Sequence, residues 1–249
     1  MAVCFKCGKN LIVLVFSLDI ASLLELDRHI LFAINGCDNL MLNGVMVTLT
    51  NAWLWLPLYL ALFYIVIKNN ETMGQIVLVV SACLVAVALA SGVDNLLVKP
   101  WIARLRPCNV PGIKYFINTV IWMGKEQYSF FSAHSANTFA IATFFAFLVR
   151  SRLLNIGLFL WALLNGYTRI YLGVHYPSDV LVGALWGILC GSIAYWFYSY
   201  VYFKSNPHVN YVSSQYTSTG YNRSDIDGVL VYFPLLLIVS CIVGTFVYL

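Results

Sequence analysis

Charged residues are scarce in this chain of 249 residues. Lysine, arginine, aspartate and glutamate make up 10% of it, and apolar residues make up 61%. A soluble domain usually carries about 25% charged residues, so this shortage excludes an ordinary water-soluble protein. The net charge of +4 is scattered over loops. It is too small to favour nucleic-acid binding, and no nucleic-acid partner is predicted.

Recognisable metal-binding patterns are also missing. Cys4-x2-Cys7 resembles half of a zinc or redox motif, but no second Cys or His pair follows at a suitable spacing. The sequence likewise has no internal repeat, low-complexity tract or soluble domain. We therefore predict no metal site and no cofactor.

Long apolar segments take the place of these features. A helix needs about 20 apolar residues to cross a bilayer, and backbone polar groups in lipid must be satisfied within the segment. Six segments are long enough: 44–67, 75–93, 130–149, 153–174, 180–203 and 229–249. The prediction is an all-α integral membrane bundle of about six transmembrane helices.

The N-terminal region is predicted to differ from this bundle. Lys6 and Lys9 precede a short apolar run, 11–18, which favours an uncleaved interfacial or signal-anchor-like segment. Residues 20–40 mix charged and apolar side chains in the pattern of an amphipathic helix on the membrane surface. The predicted organisation is an N-terminal segment (1–43), a transmembrane core (44–203), a polar loop (204–228) and a C-terminal transmembrane helix (229–249).

Three polar clusters interrupt the apolar sequence. They are Lys99-(x6)-Arg106-Pro107, Phe131-Ser132-Ala133-His134 and Arg169-(x5)-His175-(x3)-Asp179. Charge next to hydrocarbon is costly and usually marks function. The clusters fall at the end of the second span, the start of the third, and the junction of the fourth and fifth. With six crossings these points lie on one side of the membrane, which predicts a single shared site.

The first two clusters suit an anion. The Arg106 guanidinium and the Lys99 ammonium fit a phosphate group, and Asp94 is expected to pair with one of them. Backbone N–H groups at a helix start near Ser132 can hold an anion, and His134 can protonate a leaving oxygen. The structural alternatives are a basic anchor at the lipid headgroups and a helix cap beside an interfacial histidine.

The third cluster suits a nucleophile. Pro177 is expected to begin the fifth span, so that Asp179 can reach back to one ring nitrogen of His175 and leave the other free to attack phosphorus. Arg169 would neutralise the phosphate oxygens. The alternative is a packing histidine with Asp179 placed favourably at a helix N-terminus.

Small residues share a helix face with Asp179. Gly183, Gly187 and Gly191 repeat every four residues, which predicts close helix packing inside the bundle, with a dimer interface as the competing interpretation. The opposite side of the membrane receives five basic residues, namely Lys68, Arg150, Arg152, Lys204 and Arg223. The site side carries six basic residues, Lys99, Arg104, Arg106, Lys114, Lys125 and Arg169, but several of these are explained by the site itself. With these discounted, the positive-inside rule makes the opposite side cytoplasmic, so the site is predicted to face the periplasm or the cell exterior.

Taken together, the clusters resemble the type 2 phosphatidic acid phosphatase family, whose pattern is K-x6-RP, PSGH and SR-x5-H-x3-D. The resemblance covers roughly residues 94–191 and, with all parts in order, is highly specific. The chain departs from the pattern at Phe131 for Pro, Ala133 for Gly and Thr168 for Ser.

The resemblance implies a helical-bundle enzyme that hydrolyses phosphate monoesters or diphosphates without a metal. By position, His175 is the nucleophile that becomes phosphohistidine, Asp179 orients it and His134 is the acid. The implied phosphate-binding groups are Lys99, Arg106, Ser132, Ala133 and Arg169.

The expected partners are the lipid bilayer and a lipid phosphate in a cell (inner) membrane. Undecaprenyl diphosphate or lipid A phosphate is favoured, and phosphatidylglycerol phosphate or phosphatidic acid is possible. The alternative function is a non-catalytic lipid-phosphate binding or transport protein. No oligomeric state is predicted.

Overall fold

Helices account for most of the structure. The computed structural model describes residues 21–35, 39–120, 127–205 and 213–246. Its helices are α1 (Ala21–Asn35), α2 (Leu40–Thr50), α3 (Leu56–Lys68), α4 (Met73–Val93), α5 (Lys99–Ile102), α6 (Ala133–Val149), α7 (Arg152–Tyr171), α8 (Pro177–Ser205), α9 (Arg223–Leu230) and α10 (Tyr232–Phe246). Within these ranges, extended pairing is limited to two isolated bridges. The predicted all-α fold is confirmed.

The centre of the bundle is the pairing of α6 with α8, and α4 packs against both helices. Glycine permits this approach. A Cβ atom at Gly183 would lie 2.6 Å from the Ser132 carbonyl oxygen, and one at Gly191 would lie 2.5 Å from that of Ala140. These contacts are within the chain, so the prediction that the glycine face of α8 points into the bundle is confirmed.

The first predicted span, 44–67, is not one helix. The chain leaves α2 at Asn51, whose side-chain oxygen accepts the Trp53 N–H at 3.0 Å and starts a 3₁₀ turn, Ala52–Trp55. Trp55 is buried and its indole N–H donates to the Leu49 carbonyl at 2.8 Å. An asparagine that bonds its neighbouring backbone competes with helical hydrogen bonding, which explains the break.

The number of transmembrane helices remains a prediction. In the described ranges, three helices are long and apolar enough to cross a membrane: Met73–Ile102, Pro177–Lys204 and Arg223–Phe246. A fourth is added if the bent pair α1 and α2 forms one span, and Ala52–Lys68 and Ala133–Val149 are shorter apolar helices. The long helices α4 and α8 carry large exposed apolar side chains, including Leu84 on α4 and Leu185 and Trp196 on α8, as contact with lipid requires.

The C-terminal region differs from the prediction in one detail. The polar stretch 204–228 contains the first residues of α9, which Asn222 caps by accepting the Ser224 N–H at 2.9 Å. The predicted signal-anchor-like run at 11–18 and the Cys4-x2-Cys7 pattern lie outside the described residues.

Helix α1 is attached to the bundle by polar side chains. Its Asp27, Leu31 and Asn35 are buried, whereas Leu23 and Leu26 are exposed. Asn35 accepts the Asn118 N–H at 2.8 Å and donates to the Asn118 carbonyl at 3.0 Å and to the Tyr171 carbonyl at 2.7 Å. The helix is therefore fixed to both the loop after α5 and the end of α7.

Candidate active site

The first cluster is built on a distorted helix. A π turn, Asp94–Val98, joins α4 to α5, and Asp94 is fully buried there. Its Oδ2 lies 2.9 Å from the Lys99 Nζ, which also donates to Asn95 Oδ1 at 2.8 Å. The predicted pairing of Asp94 with a cation is confirmed. Its Oδ1 accepts the Phe131 N–H at 3.1 Å, so this carboxylate also ties the first cluster to the second.

Arg106 belongs to a short extended segment that pairs with residues 127–129. The Arg106 N–H donates to the Gln127 carbonyl at 3.0 Å, and the Ser129 N–H donates to the Arg104 carbonyl at 2.8 Å. Arg106 is buried, and its Nη1 donates to the Val174 carbonyl at 3.4 Å. The side chain therefore reaches from the first cluster to the loop that carries His175.

The second cluster starts α6. Ser132 is the N-cap, its side chain accepts the Ser135 N–H at 3.4 Å, and its own N–H donates to the Asp179 carbonyl at 3.0 Å. Ala133 is the first helical residue, and its φ is negative. The alanine in place of the family's glycine therefore imposes no backbone strain here.

Phe131 and His134, at the two ends of this cluster, have different surroundings. Phe131 is buried against Phe130 and Trp186. His134 is exposed, and the charges of Arg169, Arg106 and Lys99 act on it. An open histidine within a field of cations is accessible to an incoming anion.

The third cluster follows α7. Arg169 is buried and its Nη1 donates to Thr50 Oγ1 at 2.9 Å. Its carbonyl accepts the N–H groups of Val174 at 3.2 Å and His175 at 3.3 Å, so the chain folds back on the end of the helix. Gly173 permits this turn with a φ of +68°, where a Cβ would also collide with Ile117.

Thr168, which replaces the family's serine, keeps a hydroxyl that bonds within its own helix. It is fully buried, and its Oγ1 donates to the Asn165 carbonyl at 2.7 Å. This departure from the pattern leaves no buried hydroxyl unsatisfied.

His175 and Asp179 are both buried and lie at the start of α8. The His175 Nδ1 is 3.7 Å from the Asp179 Oδ2, which is longer than a hydrogen bond. That oxygen accepts the Tyr176 N–H at 3.0 Å. Burial lowers the pKa of His175, Asp179 partly opposes this, and Arg169 lowers it further. The imidazole is therefore neutral at pH 7, the form in which a ring nitrogen can act as a nucleophile.

Two charged groups beside this pair were not assigned to the site from the sequence. The Arg104 Nη1 donates to Asp179 Oδ1 at 2.6 Å, and its Nη2 donates to Asp27 Oδ2 at 2.6 Å. The signal for Asp27 was its spacing of four from Leu31 and eight from Asn35, which places the three residues on one helix face. Arg104 carried no signal beyond its place two residues before Arg106.

The three clusters thus form one connected site. Asp94 joins the first to the second, the Ser132 N–H joins the second to the third, and Arg106 joins the third to the first. Arg169 and Arg106 act electrostatically on both histidines. The site is suited to hold an anion beside a neutral imidazole. Among the described residues, no group of three or more His, Cys, Asp or Glu side chains is arranged to hold a metal.

Comparison with known proteins gives the same family as the motifs. Residues 75–203 match the model of the PAP2 superfamily. A lipid A 4'-phosphatase from Bacteroides thetaiotaomicron is 34% identical over 175 residues, which cover 69% of this chain and 76% of that protein. A lipid A 4'-phosphatase from Porphyromonas gingivalis is 26% identical over 72% of this chain and 75% of its own length.

Two solved structures are similar in fold. The crystal structure of Aquifex aeolicus LpxE has a TM-score of 0.50 and 28% identity, and the match covers 69% of this chain and 93% of that one. A transmembrane PAP2 type phosphatidylglycerolphosphate phosphatase from Bacillus subtilis has a TM-score of 0.54 and 24% identity, with coverage of 81% and 97%.

The chain belongs to the PAP2 superfamily. The family predicted from the three clusters is confirmed, and so is the enzyme class: the protein is a membrane phosphatase, a phosphoric ester hydrolase that acts on lipids.

Proposed function

We propose that this enzyme removes a phosphate group from lipid A or a closely similar glycolipid through a phosphohistidine intermediate. The observation that carries the proposal is the closed set of contacts among the three clusters, which brings the charges of Arg106 and Arg169 to act on His175. A phosphoryl group with its dispersed negative charge needs such electrostatic stabilisation.

The first step is attack by His175. Because Asp179 faces the Nδ1 side of the ring, the lone pair of Nε2 forms the bond to phosphorus. The bond from phosphorus to the lipid oxygen breaks, and His134 donates a proton to that oxygen. Lys99, Arg106, Arg169, Ser132 and the Ala133 N–H bind the phosphate oxygens.

The second step returns the enzyme to its starting state. Neutral His134 takes a proton from water, and the water oxygen attacks phosphorus. The bond between phosphorus and Nε2 breaks, inorganic phosphate leaves, and both histidines regain their original protonation. Asp179 stabilises the positive charge that the His175 ring carries while phosphorus is bound.

The relatives favour the lipid A class of substrate, because both similar curated proteins are lipid A 4'-phosphatases. A lipid-anchored substrate also accounts for a site at helix ends. Undecaprenyl diphosphate, phosphatidylglycerol phosphate and phosphatidic acid are the competing substrates. We further propose six membrane crossings in the inner membrane, with the site facing the periplasm because the basic residues of the opposite side mark the cytoplasm.

Phosphate release from a panel of purified lipids tests the substrate and the reaction type together. The enzyme, in detergent with excess EDTA, is expected to release phosphate from lipid A faster than from the other three lipids. Loss of all activity on chelation contradicts a metal-independent reaction. Binding of the lipids without phosphate release favours the alternative of a non-catalytic lipid-phosphate binding or transport protein.

The role of His134 is tested with leaving groups of different basicity. His134→Ala is expected to lose at least about 100-fold in kcat on an alkyl phosphate, whose leaving oxygen needs a proton. The loss on p-nitrophenyl phosphate is expected to be several-fold smaller, because its leaving oxygen is stable as an anion. Equal losses on both substrates contradict the assignment of His134 as the acid.

A further inference from the structure

Arg104 lies beside the phosphate-binding residues but is engaged with two carboxylates. Besides Asp179 and Asp27, its Nη1 donates to Ser178 Oγ at 2.8 Å, and the guanidinium stacks 3.9 Å from the centre of the Tyr176 ring. One face of the guanidinium is covered by Tyr176, and both terminal nitrogens are hydrogen-bonded. The side chain is therefore built into the site as a bridge between acids.

The backbone holds Arg104 in this position. Ala103, which ends α5, has the left-handed φ of 50°, and its N–H donates to the Lys99 carbonyl at 2.9 Å. The bond from Ser129 N–H then fixes the Arg104 carbonyl. The turn at Ala103 separates Arg104 from the helix that carries Lys99 and directs it towards α8.

Asp27 comes from a different part of the chain, helix α1. It is buried, its Oδ1 accepts the Ser178 N–H at 2.8 Å, and its Oδ2 accepts the Ser178 hydroxyl at 2.6 Å. Ser178 lies in the first turn of α8, where backbone N–H groups have no partner within the helix. Asp27 therefore supplies a cap to the helix that carries Asp179, and the negative charge suits a helix N-terminus.

The contacts of Arg104 with Asp179 and with Asp27 affect His175 because Asp179 faces its ring. A fully buried carboxylate is costly unless it is paired and hydrogen-bonded, and Arg104 supplies that pairing. Removing one partner of such a network leaves the other charge uncompensated. The carboxylate that faces His175 is consequently fixed by a cation whose own position depends on Asp27.

We propose that Arg104 and Asp27 are positioning residues for the Asp179–His175 pair. Helix α1, through Asp27, therefore contributes to the geometry of the active site. The inference rests on the proposed role of His175. Neither residue binds the phosphate, because the donors that Arg104 presents to this region are engaged with Asp179, Ser178 and Asp27. Their loss therefore lowers the rate of the chemical step and leaves substrate binding nearly unchanged.

The test is a double-mutant cycle on the full chain in detergent, with a soluble short-chain lipid phosphate as the substrate. Asp27→Asn is expected to lower kcat about 10-fold and Arg104→Gln about 100-fold, with KM within about three-fold of wild type. Asp27→Asn keeps an oxygen that can accept the Ser178 N–H, so its effect is expected to pass through Arg104, and the double variant is expected to match Arg104→Gln rather than show the product of the two losses. Thermal unfolding confirms that each variant is folded.

Glu25→Gln is the matched control, since Glu25 is an exposed acid on the same helix. An Asp27→Asn variant that behaves like Glu25→Gln overturns the inference, as do multiplicative losses in the double variant or a rise in KM equal to the fall in kcat. If Asp27→Asn does not fold, Ser178→Ala is the second variant, because it removes the hydroxyl that lies between Arg104 and Asp27. It is expected to lower kcat several-fold at unchanged KM. Wild-type kcat in that variant overturns the inference.

His175→Ala separates this inference from the proposed function. If wild type and His175→Ala release phosphate equally, the proposed function fails. If only His175→Ala is inactive and the positioning variants are fully active, the proposed function stands and the inference fails.

Discussion

The two ends of the bundle both carry polar networks, but the networks differ in composition. At the end opposite the site, the Lys68 Nζ donates to Asp225 Oδ1 at 2.6 Å, and Asn69 accepts the Asn222 N–H at 2.8 Å. Asn70 donates to the Tyr221 hydroxyl at 3.4 Å. These groups join the end of α3 to the start of α9, and each charge or amide meets a partner across that junction.

The site end has more cations than acids. It also contains His175, which is buried before α8, and His134, which lies in the first turn of α6. The cations are Lys99, Arg104, Arg106 and Arg169, and the buried acids are Asp27, Asp94 and Asp179. The local excess of positive charge is suited to an anion from outside the protein. The comparison shows that Lys68 is neutralised by its partner across the junction, whereas the cations around the two histidines outnumber the acids they contact, so only the site network is suited to hold an added anion.

The largest expected effect comes from His175. His175→Ala removes the proposed nucleophile, so kcat for phosphate release is expected to fall by at least about 1000-fold. Lipid binding is expected to persist, because the cations remain. His29→Ala is the control, since its side chain is 75% exposed, and it is expected to keep wild-type activity. A His175→Ala variant with substantial turnover contradicts the nucleophile assignment.

The cations of the two ends are expected to respond differently to a conservative change. Arg106→Lys keeps the charge but loses the planar fork, so kcat/KM is expected to fall about 10- to 100-fold. The same change at exposed Arg223, at the opposite end, is expected to leave kcat/KM unaltered. Steady-state kinetics on one lipid phosphate compare the two variants. Equal kcat/KM in the two variants contradicts the claim that only the cations at the site end contact the substrate.

The glycine face of α8 offers a matched pair of smaller changes. Gly183→Ala and Gly191→Ala would each force a carbonyl to move, at contacts of 2.6 and 2.5 Å. Overpacking costs about 1–3 kcal/mol, so both are expected to lower the unfolding temperature by several degrees. Only Gly183 touches Ser132, so only Gly183→Ala is expected to lower kcat/KM, by about 10-fold. Similar kinetics in the two variants contradict the role of Ser132 in the site.

Much of this site is predictable from the sequence, for physical reasons. Charged residues beside apolar spans are few, and each span reverses the side of the membrane, so the three clusters are assigned to one rim by counting crossings. The glycine repeat identifies the inner face of α8 because only small residues allow such close packing. These signals are local or depend on topology alone.

The remaining features depend on contacts between distant parts of the chain. Asp27 reaches Ser178 across 151 positions, and Thr50 meets Arg169 across 119. No local pattern encodes such pairs. The break at Asn51 was missed for a different reason: its flanking segments are both apolar, and a single capping side chain outweighs the continuity of the hydrophobic run.

The smallest expected effect lies at the opposite end. Asp225→Asn removes the charge that pairs with Lys68; the Lys68 side chain is 49% exposed and the Asp225 side chain 8%. Water and salt screen the lysine end of the pair, and asparagine keeps an oxygen that can accept the Asn69 amide N–H, so the expected cost is small. The unfolding temperature is expected to change by no more than about 2 °C, and kcat/KM is expected to stay at the wild-type value. A large loss of activity in this variant, with the unfolding temperature unchanged, shows that the two ends are coupled and that charge balance does not separate structural from catalytic networks.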